Sequence, residues 1–87
     1  MKNITFTPQA YKDYLNWLNE DKKIFSKITS LIKEIAKNPE TGTGKPERLK
    51  HELKGCWSRR ITREHRLVYR ITDENIEIVS CKYHYSK

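Results

Sequence analysis

Hydrophobic positions follow two rhythms along this chain. Up to Asn38 they recur at helical spacing, and after Pro46 they alternate. Residues Lys2–Thr7 read as a short strand with Ile4 and Phe6 on one face. Thr7-Pro8 then reads as a helix start, with Thr as the cap and Pro at the first helical position. Tyr11, Tyr14, Leu15 and Leu18 form an apolar stripe on this first helix, and Trp17 flanks it. Asn19-Glu20-Asp21 separates it from a second helix. There Ile24, Phe25, Ile28, Leu31, Ile32 and Ile35 keep a 3.6-residue period, with lysines and Glu34 between them. Asn38-Pro39 ends that helix.

Residues Glu40–Pro46 form a flexible connection. Glu47–Leu53 reads as a strand or extended segment anchored by Leu49 and Leu53, and Lys54-Gly55 as a turn. Cys56–Ile61 and His65–Thr72 make a strand pair. Asp73-Glu74-Asn75 is a tight turn, and Ile76–Tyr85 the last strand. On the pair, Leu67, Tyr69 and Ile71 share one face with Trp57 and Ile61. Ser58, Arg60, Arg66, Val68 and Arg70 take the other. On the last strand Val79, Cys81 and Tyr83 share one face, and Ser80, Lys82 and His84 the other. Strands joined by short turns pair antiparallel. The expected architecture is therefore a two-layer α+β domain: two N-terminal helices packed on one face of a small, mostly antiparallel sheet. The second helix should pack on Leu67, Tyr69, Val79 and Cys81. The other sheet face should be open and polar.

Charge adds a direction to that picture. The 87 residues carry a formal net charge of +7, which fits a single small domain, residues 1–87. Residues 1–44 hold seven Lys against five acids. Residues 45–87 hold eleven Lys or Arg against six acids, with all six Arg of the chain. This asymmetry favours a polyanionic partner for the second half, RNA or DNA ahead of a membrane. A solvated basic surface is the plain alternative. No apolar run suits a signal peptide or a membrane span, so the chain is expected to be cytoplasmic, with Cys56 and Cys81 reduced. Neither cysteine has metal-ligand spacing, and Cys81 reads as a core thiol. Gly42, Gly44 and Lys45 lack the spacing of a phosphate loop. No metal or cofactor is called for.

The open face can gather chemistry. Arg60, Arg66 and His84 share it if Leu67, Tyr69, Val79, Cys81 and Tyr83 point at the helices. Glu47 and Lys50 approach from the preceding segment. Two guanidiniums on rigid strands make a site for a phosphate. A carboxylate, a histidine and two arginines suffice to cleave RNA by internal attack of its 2′-OH. Tyr83 and Tyr85 flank His84 and can stack on a base. Against this stand ordinary readings. A surface Glu usually pairs with a Lys, a histidine near a chain end is usually solvated, and Arg59 and Arg60 may be counted with the other surface charges. Arg66 is the hardest to set aside. His51 and His65 look like strand-end or turn residues with no role. From residues alone, a nucleic-acid-binding surface is favoured over a catalytic site, because spacing does not determine mutual geometry.

Several segments together resemble the YoeB/Txe family of toxin-antitoxin systems. They are Gly44-Lys45-Pro46-Glu47, Leu49-Lys50-His51, Gly55, Trp57-Ser58-Arg59-Arg60-Ile61, Glu64-His65-Arg66-Leu67-Val68-Tyr69 and Tyr83-His84-Tyr85. The resemblance extends to Asp13, Tyr14, Trp17 and Asp21-Lys22. The family belongs to the RelE-like group, with a microbial-ribonuclease-type fold. It implies a toxin that cleaves mRNA in the ribosomal A site and so inhibits translation. It implies Glu47 as general base, His84 as general acid and Arg66 as the phosphate-stabilising cation, with Lys50, Arg60 and Tyr85 holding RNA. It implies the ribosome, mRNA and a YefM-like antitoxin as partners, and a possible homodimer. Two departures are visible: Cys56 stands where an aromatic is frequent, and Ser86-Lys87 follow the His-Tyr pair. The runner-up readings are a RelE/ParE-like toxin that acts by binding without catalysis, and a plain RNA-binding module. Neither needs Glu47 with His84.

Overall fold

In the computed structural model, residues 1–83 are described; His84 and Tyr85 lie outside the described residues. The elements run β1 (Asn3–Phe6), α1 (Pro8–Glu20), α2 (Lys22–Lys37), β2 (Glu47–Arg48), β3 (Cys56–Arg60), β4 (Arg66–Ile71) and β5 (Asn75–Ser80). One turn of 3₁₀ helix, His51–Leu53, lies between β2 and β3. The sheet order is β1-β5-β4-β3-β2. β1 runs parallel to β5, and every other pair is antiparallel.

Capping chemistry sets the helix boundaries. Thr7 is extended, its hydroxyl accepts the Ala10 N–H at 3.1 Å, and Pro8 follows at the first helical position. Asp21 alone separates the two helices. Its N–H donates to the Trp17 carbonyl at 2.9 Å, closing α1. Its carboxylate accepts the N–H groups of Lys23 and Ile24 at 3.0 and 3.2 Å, opening α2. A negative charge at that end also complements the helix dipole.

The α2 stripe packs as its period predicts. Ile28, Leu31, Ile32 and Ile35 are buried against Leu67, Tyr69, Ile76, Ile78 and Cys81 of the sheet layer. The α1 stripe is different. Its buried residues are Ala10, Asp13 and Trp17, whereas Tyr11, Leu15 and Leu18 are 53, 41 and 41% exposed. The reason is closeness of approach. Ala10 is the small residue at the contact, with its carbonyl 3.6 Å from the Cys81 sulfur. Tyr11, Leu15 and Leu18 are turned outward, and Trp17 is the large side chain that enters the core. Only Tyr14 of the expected stripe packs inward, with its ring centroid 5.3 Å from Phe6 and 4.5 Å from Phe25.

The last strand corrects two expectations. It ends at Ser80 rather than running to Tyr85. Its inward residues are Ile76 and Ile78, while Val79 sits on the opposite face with Val68, Leu49 and Cys56. A β-bulge is why Val79 and Cys81 do not share a face. Val68 opposes Ser80 and Tyr69 opposes Ile78, which leaves Val79 without an opposite residue. One extra residue reverses the alternation, so Cys81 still turns into the core. Tyr83 lies beyond the strand and is exposed instead of facing the helices.

The second sheet face is also less open than its polarity suggests. Only Glu47 and Arg48 of the Glu47–Leu53 segment pair as a strand. The chain then folds back, and Leu49 and Leu53 cover Cys56, Val68 and Val79 in a second small core. Val68 and Cys56 are as inaccessible as the main core.

Candidate functional site

Register decides which charges can cooperate. Arg60 on β3 stands directly opposite Arg66 on β4. Glu47 on β2 stands opposite Ser58, and Ser58 opposite Val68. Because side chains two apart share a face, Glu47, Ser58, Arg60 and Arg66 project from one side of the sheet. Glu47 is a diagonal neighbour of Arg60, a separation of about 7–8 Å between backbones that long side chains bridge. The structure thus brings Glu47, Arg60 and Arg66 together. Two arginines at one register position repel unless water or an anion lies between them.

Each charge is held by its local turn. Thr62 organises the β3–β4 connection: its hydroxyl accepts the N–H groups of Glu64 and His65 at 3.1 and 3.0 Å. The same turn aims carbonyls at Arg66. One terminal nitrogen of Arg66 donates to Thr62, Arg63 and His65 carbonyls at 2.8, 3.2 and 3.1 Å. That commits one end of the guanidinium, and its remaining donors are what it can offer a phosphate. Glu47 is exposed at the start of β2. Its approach is set by the preceding loop, where the Arg60 N–H donates to the Gly44 carbonyl at 2.7 Å.

That loop is ordered by Arg59, which is no surface charge. Arg59 is fully buried. It donates to the Tyr69 hydroxyl at 3.2 Å, the Thr43 carbonyl at 3.2 Å, the Asn38 carbonyl at 2.7 Å and the Thr41 carbonyl at 2.8 Å. It also forms an ion pair with Glu34 on α2. The Thr43 N–H donates to Glu34 at 2.8 Å, and that hydrogen bond, with Arg59, holds the Glu34 carboxyl below its ordinary pKa. The Tyr69 hydroxyl donates to the Pro39 carbonyl at 2.6 Å, and burial pushes its pKa up. The connection 38–46 is therefore tied to helix and sheet by buried polar groups, rather than hanging free. A signal for Arg59 was present: it shares the inward parity of Trp57 and Ile61.

Lys50 stands elsewhere. It lines a cleft of about 640 Å³ at the sheet edge with Arg48, His51, Lys54 and Trp57. A second hollow, of about 610 Å³, has Val68, Val79 and Ser80 on the sheet side, with Asn16, Leu53 and Tyr83 around it. His65, assigned no role from sequence, is buried and contacts both Trp17 and Tyr83. No periodicity singles it out. Cys81 is inert, since burial pushes its thiol up to about 12. Among the described residues no cluster of His, Cys, Asp and Glu could hold a metal ion, and no helix is long and apolar enough to cross a membrane.

Comparison with known proteins gives a consistent answer. Residues 6–85 match the family described as YoeB-like toxin of bacterial type II toxin-antitoxin system. The chain is 51% identical to the toxin YoeB of Escherichia coli K12 over 82 residues, covering 94% of this chain and 98% of that one. It superposes on the YoeB dimer structure from Staphylococcus aureus with a TM-score of 0.89 and 54% identity, over 97 and 98% of the two chains. It matches the toxin chain of a YoeB-YefM complex from the same organism with a TM-score of 0.88 and 52% identity, over 98 and 99%.

Proposed function

Because this chain belongs to the family of YoeB-like toxins of bacterial type II toxin-antitoxin systems, we propose that it cleaves mRNA in the ribosomal A site. Glu47 takes the proton of a ribose 2′-OH. The freed oxygen attacks the adjacent phosphorus, and the bond to the 5′ oxygen of the next nucleotide breaks. His84 gives that oxygen a proton, leaving a cyclic phosphate and a new 5′-OH. Arg66 stabilises the charge that grows on the phosphoryl oxygens. Arg60 holds the RNA backbone at this face, Lys50 holds it farther along, from the cleft at the sheet edge, and Tyr85 stacks on a base. DNA lacks the nucleophile and should not be cut.

The register carrying Glu47, Arg60 and Arg66 on one sheet face is the observation that supports this reading most directly. It gathers a carboxylate and two arginines on one face, which suits a base and two phosphate-binding cations. The basic surface also suits an acidic, YefM-like antitoxin segment laid over the same face. The relatives from Staphylococcus aureus form a YoeB dimer and a YoeB-YefM complex, and the same two associations are proposed for this chain.

Single-turnover cleavage on programmed ribosomes tests the assignment. Arg66→Ala and His84→Gln should each slow cleavage by about 10² or more, the usual size of electrostatic and acid-base contributions. Ribosome affinity and circular dichroism should stay near wild type, and Glu47→Ala should behave alike. Wild-type rates in both Glu47→Ala and His84→Gln would remove the acid-base mechanism. A wild-type protein that retains RNA without cutting it would instead be a binding module.

A further inference from the structure

His65 ends the β3–β4 turn immediately before Arg66, and it is only 7% exposed. Its own N–H donates to the Thr62 hydroxyl, and its carbonyl accepts from Ile61, Thr62 and the Arg66 guanidinium. The backbone of His65 is thus over-determined. Its ring is equally constrained: the edge of Trp17 lies 4.8 Å away between centroids, and the Tyr83 ring 5.2 Å away. One side-chain atom is in use. The Tyr83 N–H donates to His65 Nδ1 at 2.7 Å. For Nδ1 to accept, the imidazole must be neutral, with its proton on Nε2.

The chain needs such an anchor at this point. β5 ends at Ser80, so Tyr83 lies beyond the regular ladder of the sheet. Tyr83 has φ 61°, the left-handed region that a residue with a side chain seldom adopts. Such a conformation persists only where surrounding bonds hold it. Here both backbone groups of Tyr83 are held by consecutive residues. The N–H goes to His65 Nδ1, and the carbonyl accepts the Arg66 N–H at 3.1 Å. Upstream, Trp17 Nε1 donates to the Cys81 carbonyl at 2.8 Å.

We propose that His65 is a positioning residue, whose neutral Nδ1 holds the Tyr83 backbone beside Arg66, at the residue that precedes the acid in the sequence. It follows that one dipeptide, His65-Arg66, both supplies the phosphate-stabilising cation and anchors the backbone of Tyr83, the residue next to the acid in the sequence. The inference rests on the reading of His84 as general acid.

Three substitutions in the full-length toxin separate the bond from the packing. His65→Phe keeps an aromatic ring against Trp17 but has no acceptor. His65→Asn loses the ring, yet its Oδ1 can occupy the place of Nδ1. His65→Gln carries an acceptor that reaches past that place. Cleavage on programmed ribosomes, ribosome affinity, melting temperature and hydrogen exchange of the Tyr83 amide are measured on each. The Tyr83 amide should be protected in wild type and in the Asn variant, and open in the Phe and Gln variants. Cleavage should fall about 10-fold or more in the Phe and Gln variants, since small misplacement of a reacting group carries penalties of that order. Ribosome affinity should not change, and Asn should recover most of the rate despite its lower melting temperature. Wild-type cleavage in the Phe variant, or rates that follow melting temperature across all three, would overturn the inference while leaving the ribonuclease reading intact. Should Phe fail to fold, equal rates for Asn and Gln would overturn it as well. A wild-type protein that does not cleave would remove the ribonuclease reading itself, and this one with it.

Discussion

Arg59 and Arg60 are neighbours in sequence with opposite fates. Arg60 projects from the face that carries Glu47, while Arg59 turns inward and makes five hydrogen bonds to Glu34, Tyr69 and the loop after α2. A buried guanidinium is tolerated because its planar fork meets fixed acceptors on several sides. Lysine cannot do this from one nitrogen. Arg59→Lys should therefore destabilise the fold by about 3–5 kcal/mol, the range for breaking a buried ion pair, and should misplace Glu47 by loosening the loop. Urea unfolding with single-turnover cleavage checks both; a stable Arg59→Lys variant with full activity would contradict the role given to the loop. Glu34 gives the same cluster a pH signature. Its folded pKa is lowered, so it stabilises the protein above the ordinary carboxyl pKa of 4.5, and the contribution is lost as pH falls below that value. The stability gap between wild type and Glu34→Gln should accordingly be wide at pH 7 and narrow at pH 3. An equal gap at both would mean the charge contributes nothing.

At the scale of elements, the two helices respond to different constraints. α2 packs on β4 and β5, burying Ile28, Leu31, Ile32 and Ile35, with Ile24 and Phe25 partly covered. Ile28→Ala or Leu31→Ala should cost about 2–5 kcal/mol through lost transfer energy and the cavity left behind. α1 meets the sheet through Ala10 and Trp17, and its larger apolar side chains face out. Leu15→Ser and Leu18→Ser should stay within about 0.5 kcal/mol of wild type in the isolated protein. Denaturant unfolding of the four variants decides the orientation of both helices, and a large loss at Leu15 would place it in a core. β5 adds the bulge at Val79, which returns Cys81 to the first core although Val79 lies at the second.

For the whole molecule, charge and layering agree. Helices cover one face of the sheet, and the basic second half of the chain supplies the other. Binding to ribosomes should weaken with salt as counterions return to the RNA. Arg60→Ala should reduce the steepness of log K against log salt by about 0.7, one phosphate on a single strand. Lys27→Ala, on exposed α2 surface across the sheet, should leave the slope alone. Equal effects from the two substitutions would mean that charge is used diffusely and that no face is selected.

Local rules were enough for part of this. Caps at Thr7 and Asp21, the period of α2 and the alternation around Arg60 and Arg66 act over a few residues. They are readable because neighbours alone decide them, and they led to the α+β fold and to one face bearing Glu47, Arg60 and Arg66. The family resemblance, carried by whole segments, assigned roles that periodicity could not. Other features needed distant partners. Val79 and Cys81 came to lie on opposite faces because a bulge is a property of two strands. Tyr11, Leu15 and Leu18 turned outward because α1 sets its Ala10, Asp13 and Trp17 face on the sheet. Arg59 went inside because Glu34 and four loop and strand acceptors met it there. His65 gained its use when Tyr83 came back beside it. A side chain's polarity states what its burial would cost, and only the tertiary structure supplies the partners that offset the cost.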